Sequence, residues 1–261
     1  MPAEERTIDL NADVGEADDA TGTEVERALL ELVTTANVAC GGHAGDAQSM
    51  HHTVQAALAA GARVGAHPSY PDRDGFGRRP MEIAAEDLRS SLAEQIGALV
   101  AVATSLGTRV HSVKPHGALY SEVGRGGSSC DALVAAVRAH CGADTALIVP
   151  AGSPAVAMLR TAGVPVLQEG FSDRAYAPDG GLMARSADGS VYDEPAVAAA
   201  QALGLAGRGS VVAQDGSVLD LSVDTLCVHG DSPNAVAMAN AVRLALAEAG
   251  ITVQAPVARR A

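Results

Sequence analysis

The chain contains a single lysine, and it stands in the run Val113-Lys114-Pro115-His116-Gly117-Ala118-Leu119-Tyr120. All the other Lys/Arg positions are arginine. An ammonium is more compact than a guanidinium and easier to deprotonate, so the one exception marks a position that Arg cannot fill. Beside His116 at a strand end, Lys114 could stabilise developing negative charge or bind phosphoryl oxygens. The competing account is a surface lysine in a turn.

Further chemistry-bearing residues recur in short polar runs. In Asp9-Leu10-Asn11-Ala12-Asp13-Val14-Gly15-Glu16, alternation puts Asp9, Asn11 and Asp13 on one strand face, opposite Leu10. Carboxylates on the inner face of a barrel can act as acid, base or metal ligand, whereas Asp18 and Asp19 read as solvated loop. The glycine pair before His43 lets backbone approach a ligand, and Asp46 is either part of an anion-binding helix start or a plain N-cap. His51 and His52 read as surface or packing histidines. The run from His67 to Asp72 leads into Gly75-Phe76-Gly77-Arg78-Arg79-Pro80, a polar loop suited to cover a small acid. Its arginines could equally cap a helix. A second such loop carries Asp173 and Arg174. Finally, His229 lies two residues before Asp231 at a helix start, as an acid/base pair or a structural cap.

His43, His67, His116 and His229, with the acids, could in principle assemble a metal site. None shows i, i+4 spacing, so a bound transition metal is compatible with the residue types and unsupported by the spacing. The chain has neither a Gly-x-x-x-x-Gly-Lys-Ser/Thr loop nor a Gly-x-Ser-x-Gly elbow, which argues against the Rossmann dinucleotide and serine-hydrolase readings.

Elements must position these residues. Strands are predicted at 7–11, 34–40, 63–67, 110–114, 145–150, 164–169 and 224–229. Helices are predicted at 23–32, 46–60, 85–106, 130–140, 154–162, 194–204 and 233–249, with a hairpin over 210–221 turning at Asp215-Gly216. Seven βα units without a linker give an α/β fold with one domain over residues 1–261 and a loose tail from about 254. Polar residues follow almost every strand, which suits the shared mouth of a closed β/α barrel better than the switch point of an open sheet.

The 261 residues are 48% hydrophobic and only 2% aromatic, with a net charge of -13. That balance argues against nucleic-acid or anionic-membrane binding, which needs clustered Lys and Arg. Residues 1–31 concentrate the acids, ten against Arg6 and Arg27. The six aromatics avoid the aliphatic periodic segments and mark loops. With no apolar leader, no run long enough to span a membrane and no Cys-x-x-Cys pair, the expectation is a soluble protein of the reducing cytoplasm.

Taken together, DLNADVGE (9–16), ANVACGGHAGD (36–46), HPSYPDRDGFGRR (67–79), VKPHGALY (113–120), FSDRAY (171–176) and CVHGDSPNAV (227–236) resemble the LamB/YcsF family. That family corresponds to the A component of the bacterial ATP-dependent 5-oxoprolinase and looks like a relative of the sugar and polysaccharide deacetylases. The resemblance implies a single-domain seven-stranded β/α barrel of TIM-like type. It also implies cleavage of 5-oxoproline to L-glutamate coupled to hydrolysis of ATP, with magnesium, alongside partner subunits B and C; a homo-oligomer is compatible with it. On that reading Lys114 stabilises phosphoryl or lactam oxygen charge, and Asp13 or Asp231 handles water. His43, His67, His116 and His229 supply donors or protons, Arg78 or Arg174 holds the substrate carboxylate, and Asn11 and Asp173 complete the substrate-facing set. Two other classes fit the residues: a stand-alone metal-dependent amide or N-acetyl hydrolase, and a non-catalytic protein that only binds substrate for a complex. The sequence departs from the family at Ala17–Gly22, where an aromatic-Gly stretch is usual, and at Gly42, where Phe is common.

Overall fold

The computed structural model describes residues 6–230 and 234–256. Seven parallel strands close on themselves: β1 (Arg6–Val14), β2 (Thr35–Ala39), β3 (Arg63–His67), β4 (Ser112–Val113), β5 (Ala146–Pro150), β6 (Val166–Phe171) and β9 (Thr225–Cys227). Closure is made by β9, which pairs with β6 through Glu169↔Thr225 and with β1 through Asp9↔Thr225 and Asn11↔Cys227. The predicted hairpin forms from β7 (Ser210–Val212) and β8 (Val218–Asp220), with Gly216 at positive φ in its turn. The expected single β/α barrel is therefore observed.

Helices α1 (Ala20–Leu30), α2 (Ala47–Ala60), α3 (Ala85–Ser105), α5 (Ser128–His140), α6 (Pro154–Thr161), α7 (Pro195–Leu203) and α8 (Ala235–Glu248) follow the predicted segments closely. Their limits have local causes. Asp46 caps α2 in a capping box with Ser49, and Gly61, at φ 77, ends that helix in the left-handed conformation. Proline opens α6 and α7. The outward strand residues Leu10, Val38, Val64, Val113, Leu147 and Leu226 are fully buried against the helix layer, where α3 contributes Leu88, Leu92, Ile96 and Leu99.

The inside of the barrel is unlike this aliphatic shell. Asp9 accepts hydroxyl hydrogen bonds from Thr34 and Thr35, each at 2.7 Å, and from Thr225 at 2.5 Å. One layer up, the Asn11 amide donates to Glu169 Oε1 at 2.9 Å and Thr225 Oγ1 at 2.7 Å, while its carbonyl oxygen accepts from Asn37 at 2.8 Å. Among the described residues two small apolar clusters stand apart from the main core: Ala146, Ile148 and Leu167 on neighbouring strands, and Phe171 and Cys227 with Tyr120. A hydrogen-bonded polar column thus replaces the branched aliphatic layers usual in such barrels.

Three segments differ from expectation. A helix, α4 (Gly117–Arg125), occupies residues read only as a motif and loop; Leu119, Tyr120 and Val123 bury one face, but its glycines hide the pattern. The last strand, β10 (Ile251–Val253), pairs with Arg6–Ile8 at the outer edge of β1. Residues 254–256 are not loose: Gln254 N–H donates to the Ile8 carbonyl, and the Pro256 carbonyl accepts from Arg63. A three-residue edge strand is too short to show periodicity. Among the described residues no helix is long and apolar enough to cross a membrane.

Asp9→Ala leaves three hydroxyl donors without their shared acceptor and is expected to lower stability in urea unfolding by about 1–3 kcal/mol. Asp9→Asn keeps one acceptor oxygen and is expected to lose less.

Candidate active site

At the C-terminal ends of the strands a cavity of about 330 Å³ opens between the loops. Lys114, just past β4, is only 2% exposed. Its Nζ lies 2.9 Å from Asp13 Oδ1 and 2.9 Å from Glu169 Oε1, with Asn11 Oδ1 at 3.3 Å and Cys227 Sγ at 3.2 Å. The Phe171 ring centroid is 5.5 Å away. Burial alone would strip the charge, but Asp13, Cys227 and Glu169 outweigh it and hold the ammonium well above its ordinary range. Burial likewise opposes Asp13, yet His67 and Lys114 keep that carboxyl well below the usual aspartate value. The two carboxylates thus favour the charged form of Lys114.

One wall carries three imidazoles. His43 and His116 stack at 3.8 Å, and His67 meets His116 edge-on at 4.9 Å. Glu16 faces them, its Oε1 2.8 Å from His43 Nε2 and 3.3 Å from His116 Nδ1. The position of Glu16 is set from α1: the Glu26 carboxylate accepts the backbone N–H groups of Gly15, Glu16 and Ala17 at 2.9, 2.8 and 2.9 Å. His67 is buried, which lowers its basicity, but Asp13 and Glu16 raise it above the ordinary imidazole value. Burial, together with His67 and His43, pushes His116 far below it. His43 is lowered chiefly by burial.

The loop over this wall is tied down. Gln95 from α3 clamps Ser69, accepting from its N–H at 3.0 Å and donating to its carbonyl at 2.9 Å. Asp72 and Arg79 pair across the turn, and His116 Nε2 lies 2.9 Å from the Phe76 carbonyl. Gly117, at φ 58, lets the start of α4 approach that loop; an added Cβ would lie 2.5 Å from the Gly77 carbonyl.

The opposite wall holds His229. Its Nδ1 lies 3.0 and 2.9 Å from the two Asp173 oxygens, and its backbone N–H donates to the same carboxylate at 2.8 Å. Nδ1 therefore carries the proton, leaving Nε2 as the acceptor. Burial would raise Asp173, but His229 and then Arg174 outweigh it and the carboxyl titrates below its usual value.

Of the residues expected to act, Asp13, His67, Lys114, His116, His229, Arg78 and Arg174 all line the cavity. His43 is buried behind His116 and reaches the site through Glu16. Asn11 and Asp173 are fully buried and contact Lys114 and His229. Arg174 donates to the Ser190 and Met183 carbonyls, bracing its loop. Asp231 lies outside the described residues. Sequence reasoning passed over Glu169 as an ammonium partner, although alternation inside β6 puts it on the face of Leu167 and Phe171. It also left Glu16 without a role and missed Cys227, Tyr120 and Glu26. Two sets of donor atoms lie within 4.8 Å of one another and could hold a metal: Glu16, His43, His67 and His116, and separately Asp13, Cys227 and His229.

A cation-centred, histidine-walled pocket at the C-terminal mouth of a parallel β/α barrel defines an enzyme-type site. The chain belongs to the LamB/YcsF family, which it matches over residues 8–261. A relative from Methylococcus capsulatus, named as the A component of 5-oxoprolinase, is 49% identical over 250 residues, 96% of each chain. A second so named, from Paracidovorax citrulli, is 47% identical and covers 95% of this chain and 98% of its own. The crystal structure of a lactam utilization protein from Thermus thermophilus superposes with a TM-score of 0.88 at 41% identity, covering 96% of this chain and all of that one. A family 4 carbohydrate esterase from Streptomyces lividans shares the fold alone, with a TM-score of 0.52 at 13% identity over 96% of this chain and 93% of that one.

At Gly42 the structure accounts for the departure from the family: a Cβ would lie 2.4 Å from Gln95 Oε1 and 2.5 Å from Ser69 Oγ, so the clamp fills the space an aromatic would need. Gly42→Ala is expected to displace Gln95 and lower stability by about 1–3 kcal/mol in urea unfolding. Asp173 gives a pH signature. Its depressed carboxyl contributes stability that is present above the ordinary aspartate value of about 3.9 and lost as pH falls through the folded value. The stability difference between the native chain and Asp173→Asn, measured by denaturant titration, is therefore expected to shrink on acidification below about pH 4.

Proposed function

We propose that this chain is the A component of a cytoplasmic, ATP-dependent 5-oxoprolinase and contributes the lactam-opening site to a complex with subunits B and C. The relatives' names and the lactam utilization protein's fold support the substrate class. The observation that carries the reading is Lys114, a compact ammonium locked between Asp13 and Glu169 at the floor of a cavity of about 330 Å³. Such a preorganised charge serves where negative charge develops on a carbonyl oxygen.

A five-membered lactam resists hydrolysis because amide resonance makes its carbon a poor electrophile. Transfer of the γ-phosphoryl group of ATP, with magnesium, to the lactam oxygen releases ADP and leaves a C–O–P imidate. Water then adds to that carbon, the C–N bond breaks with its nitrogen taking a proton, and a second water releases phosphate. The sum is 5-oxoproline, ATP and two waters giving L-glutamate, ADP and phosphate. On this reading Lys114 stabilises the oxygen bearing the charge. His229 Nε2, oriented by Asp173, takes the proton from water, and Arg78 at the rim meets the substrate carboxylate. Arg78 already lies over the Phe76 ring, 4.9 Å from its centroid, at the cavity edge.

Lys114→Met retains volume but removes the charge. With the whole complex present it is expected to lower 5-oxoproline-dependent ATP hydrolysis by about a hundredfold or more. Lys114→Arg is also expected to fail, because a planar fork cannot replace one nitrogen between two carboxylates. Near-native turnover in the methionine variant would remove Lys114 from the mechanism.

A further inference from the structure

The histidine wall has a proton inventory that does not close without an added cation. His67 Nδ1 lies 2.7 Å from the Lys114 carbonyl, which can only accept, so in the neutral ring Nδ1 carries the proton and Nε2 presents a lone pair. His116 Nε2 faces the Phe76 carbonyl at 2.9 Å, so its proton is there and Nδ1 presents the lone pair. These two bare nitrogens face each other at 2.9 Å. Carboxylate oxygens then crowd the same point: Glu16 Oε1 is 3.3 Å from His116 Nδ1 and 3.6 Å from His67 Nε2, and Asp13 Oδ2 is 3.3 Å from His67 Nε2.

We propose that His67 Nε2, His116 Nδ1 and Glu16 Oε1, with Asp13 Oδ2 beside them, form a binding site for a divalent first-row transition metal ion of the zinc type. The geometry favours a metal over a single added proton. A proton can occupy only the line between the two nitrogens, and the 3.3 and 3.6 Å separations to the carboxylates are too long for strong charge-assisted hydrogen bonds. Edges of 2.9 to 3.6 Å are instead what ligands about 2.0–2.2 Å from a common centre make with one another.

Each donor also has the outer support that ligands require. Both rings donate their far N–H to a backbone carbonyl. Asp13 Oδ1 accepts from Lys114 at 2.9 Å and Asn37 at 3.0 Å, and Glu16 Oε1 lies 2.8 Å from His43 Nε2. Local charge points the same way: the ammonium of Lys114 is engaged by Asp13 Oδ1 and Glu169 Oε1, whereas Asp13 Oδ2 and Glu16 Oε1 face the two imidazoles. Two imidazoles and a carboxylate leave coordination positions open toward the cavity for water or a carbonyl oxygen.

Binding is tested on the isolated chain without substrate or partners, so its failure is distinct from failure of the lactam reading. The chain is stripped with chelator and titrated with Zn²⁺ and Co²⁺ alone, followed by calorimetry, elemental analysis and the visible absorption of Co²⁺. One equivalent is expected to bind with a Co²⁺ band. His67→Ala and Glu16→Gln are each expected to weaken affinity by about tenfold or more, while His52→Ala, on the surface helix, leaves it unchanged. Circular dichroism identifies any variant that has lost its fold, and the native titration stands without the variants. A native chain that takes up no equivalent overturns the site, as does binding undiminished in folded His67→Ala and Glu16→Gln. A proton shared between His67 and His116, seen by NMR in a chain that takes up neither ion, also overturns it.

Discussion

Everything at the mouth of this barrel hangs on one ammonium held inside it. Lys114 is buried, and removing a cation of that size from water costs several kcal/mol even after relaxation. The cost is met by two carboxylates at 2.9 Å, by Asn11 and by the ring of Phe171. Those partners would be as costly as the lysine if left alone. Asp13 and Glu169 come from β1 and β6, strands that both pair with β9, so the closure of the barrel brings the two carboxylates to the same ammonium. This also explains why the chain tolerates a polar interior. Asn11 relays the network from Glu169 to Thr225, and Thr225 passes it to Asp9, one layer further down β1. Each layer satisfies the one above it.

The choice of lysine in an arginine-rich chain follows from the same geometry. The space between Asp13 Oδ1 and Glu169 Oε1 admits a single nitrogen, with Cys227 Sγ at 3.2 Å on another side. A guanidinium would need a plane of open space that the strands do not leave. Small residues make room for the column elsewhere: a Cβ at Gly65 would lie 2.7 Å from Ser112 Oγ and 3.0 Å from Asn37 Oδ1. Interior polarity and interior smallness are thus linked, because hydrogen-bonded side chains approach more closely than packed aliphatic ones.

Much of this was legible in the sequence, and the limits are physical. Period-2 alternation revealed the Asp9, Asn11 and Asp13 face, and the composition itself isolated Lys114. Strand-end placement found His67 and His116, since the C-terminal ends of parallel strands share a mouth. What escaped was convergence. His67 and His116 stand 49 positions apart and come within 2.9 Å only through strand register. Metal-type spacing rules read ligands on one helix and are blind to ligands on successive strands. Glu26 was invisible for a different reason: its carboxylate serves backbone N–H groups, a use that leaves no pattern in side-chain types. The helix α4 was hidden by Gly117 and Gly124, which its close contacts with Gly77 and Pro150 require.

The two walls of the cavity divide the electrostatic labour. The acids gathered in the first thirty-one residues bring Asp13 and Glu16 to the same rim that an anionic substrate must approach, and Lys114 is already matched by Asp13 and Glu169. With the histidines neutral, the floor would repel a carboxylate or a phosphorylated lactam. Arg78 and Arg185 in the lining of the cavity supply attraction for an anion. A divalent ion at His67, His116 and Glu16 removes the repulsion at its source and leaves Lys114 free to act on charge that develops during reaction. The His229–Asp173 pair, with the carboxylate held by the ring's Nδ1–H, keeps His229 Nε2 as the acceptor that can take a proton from water.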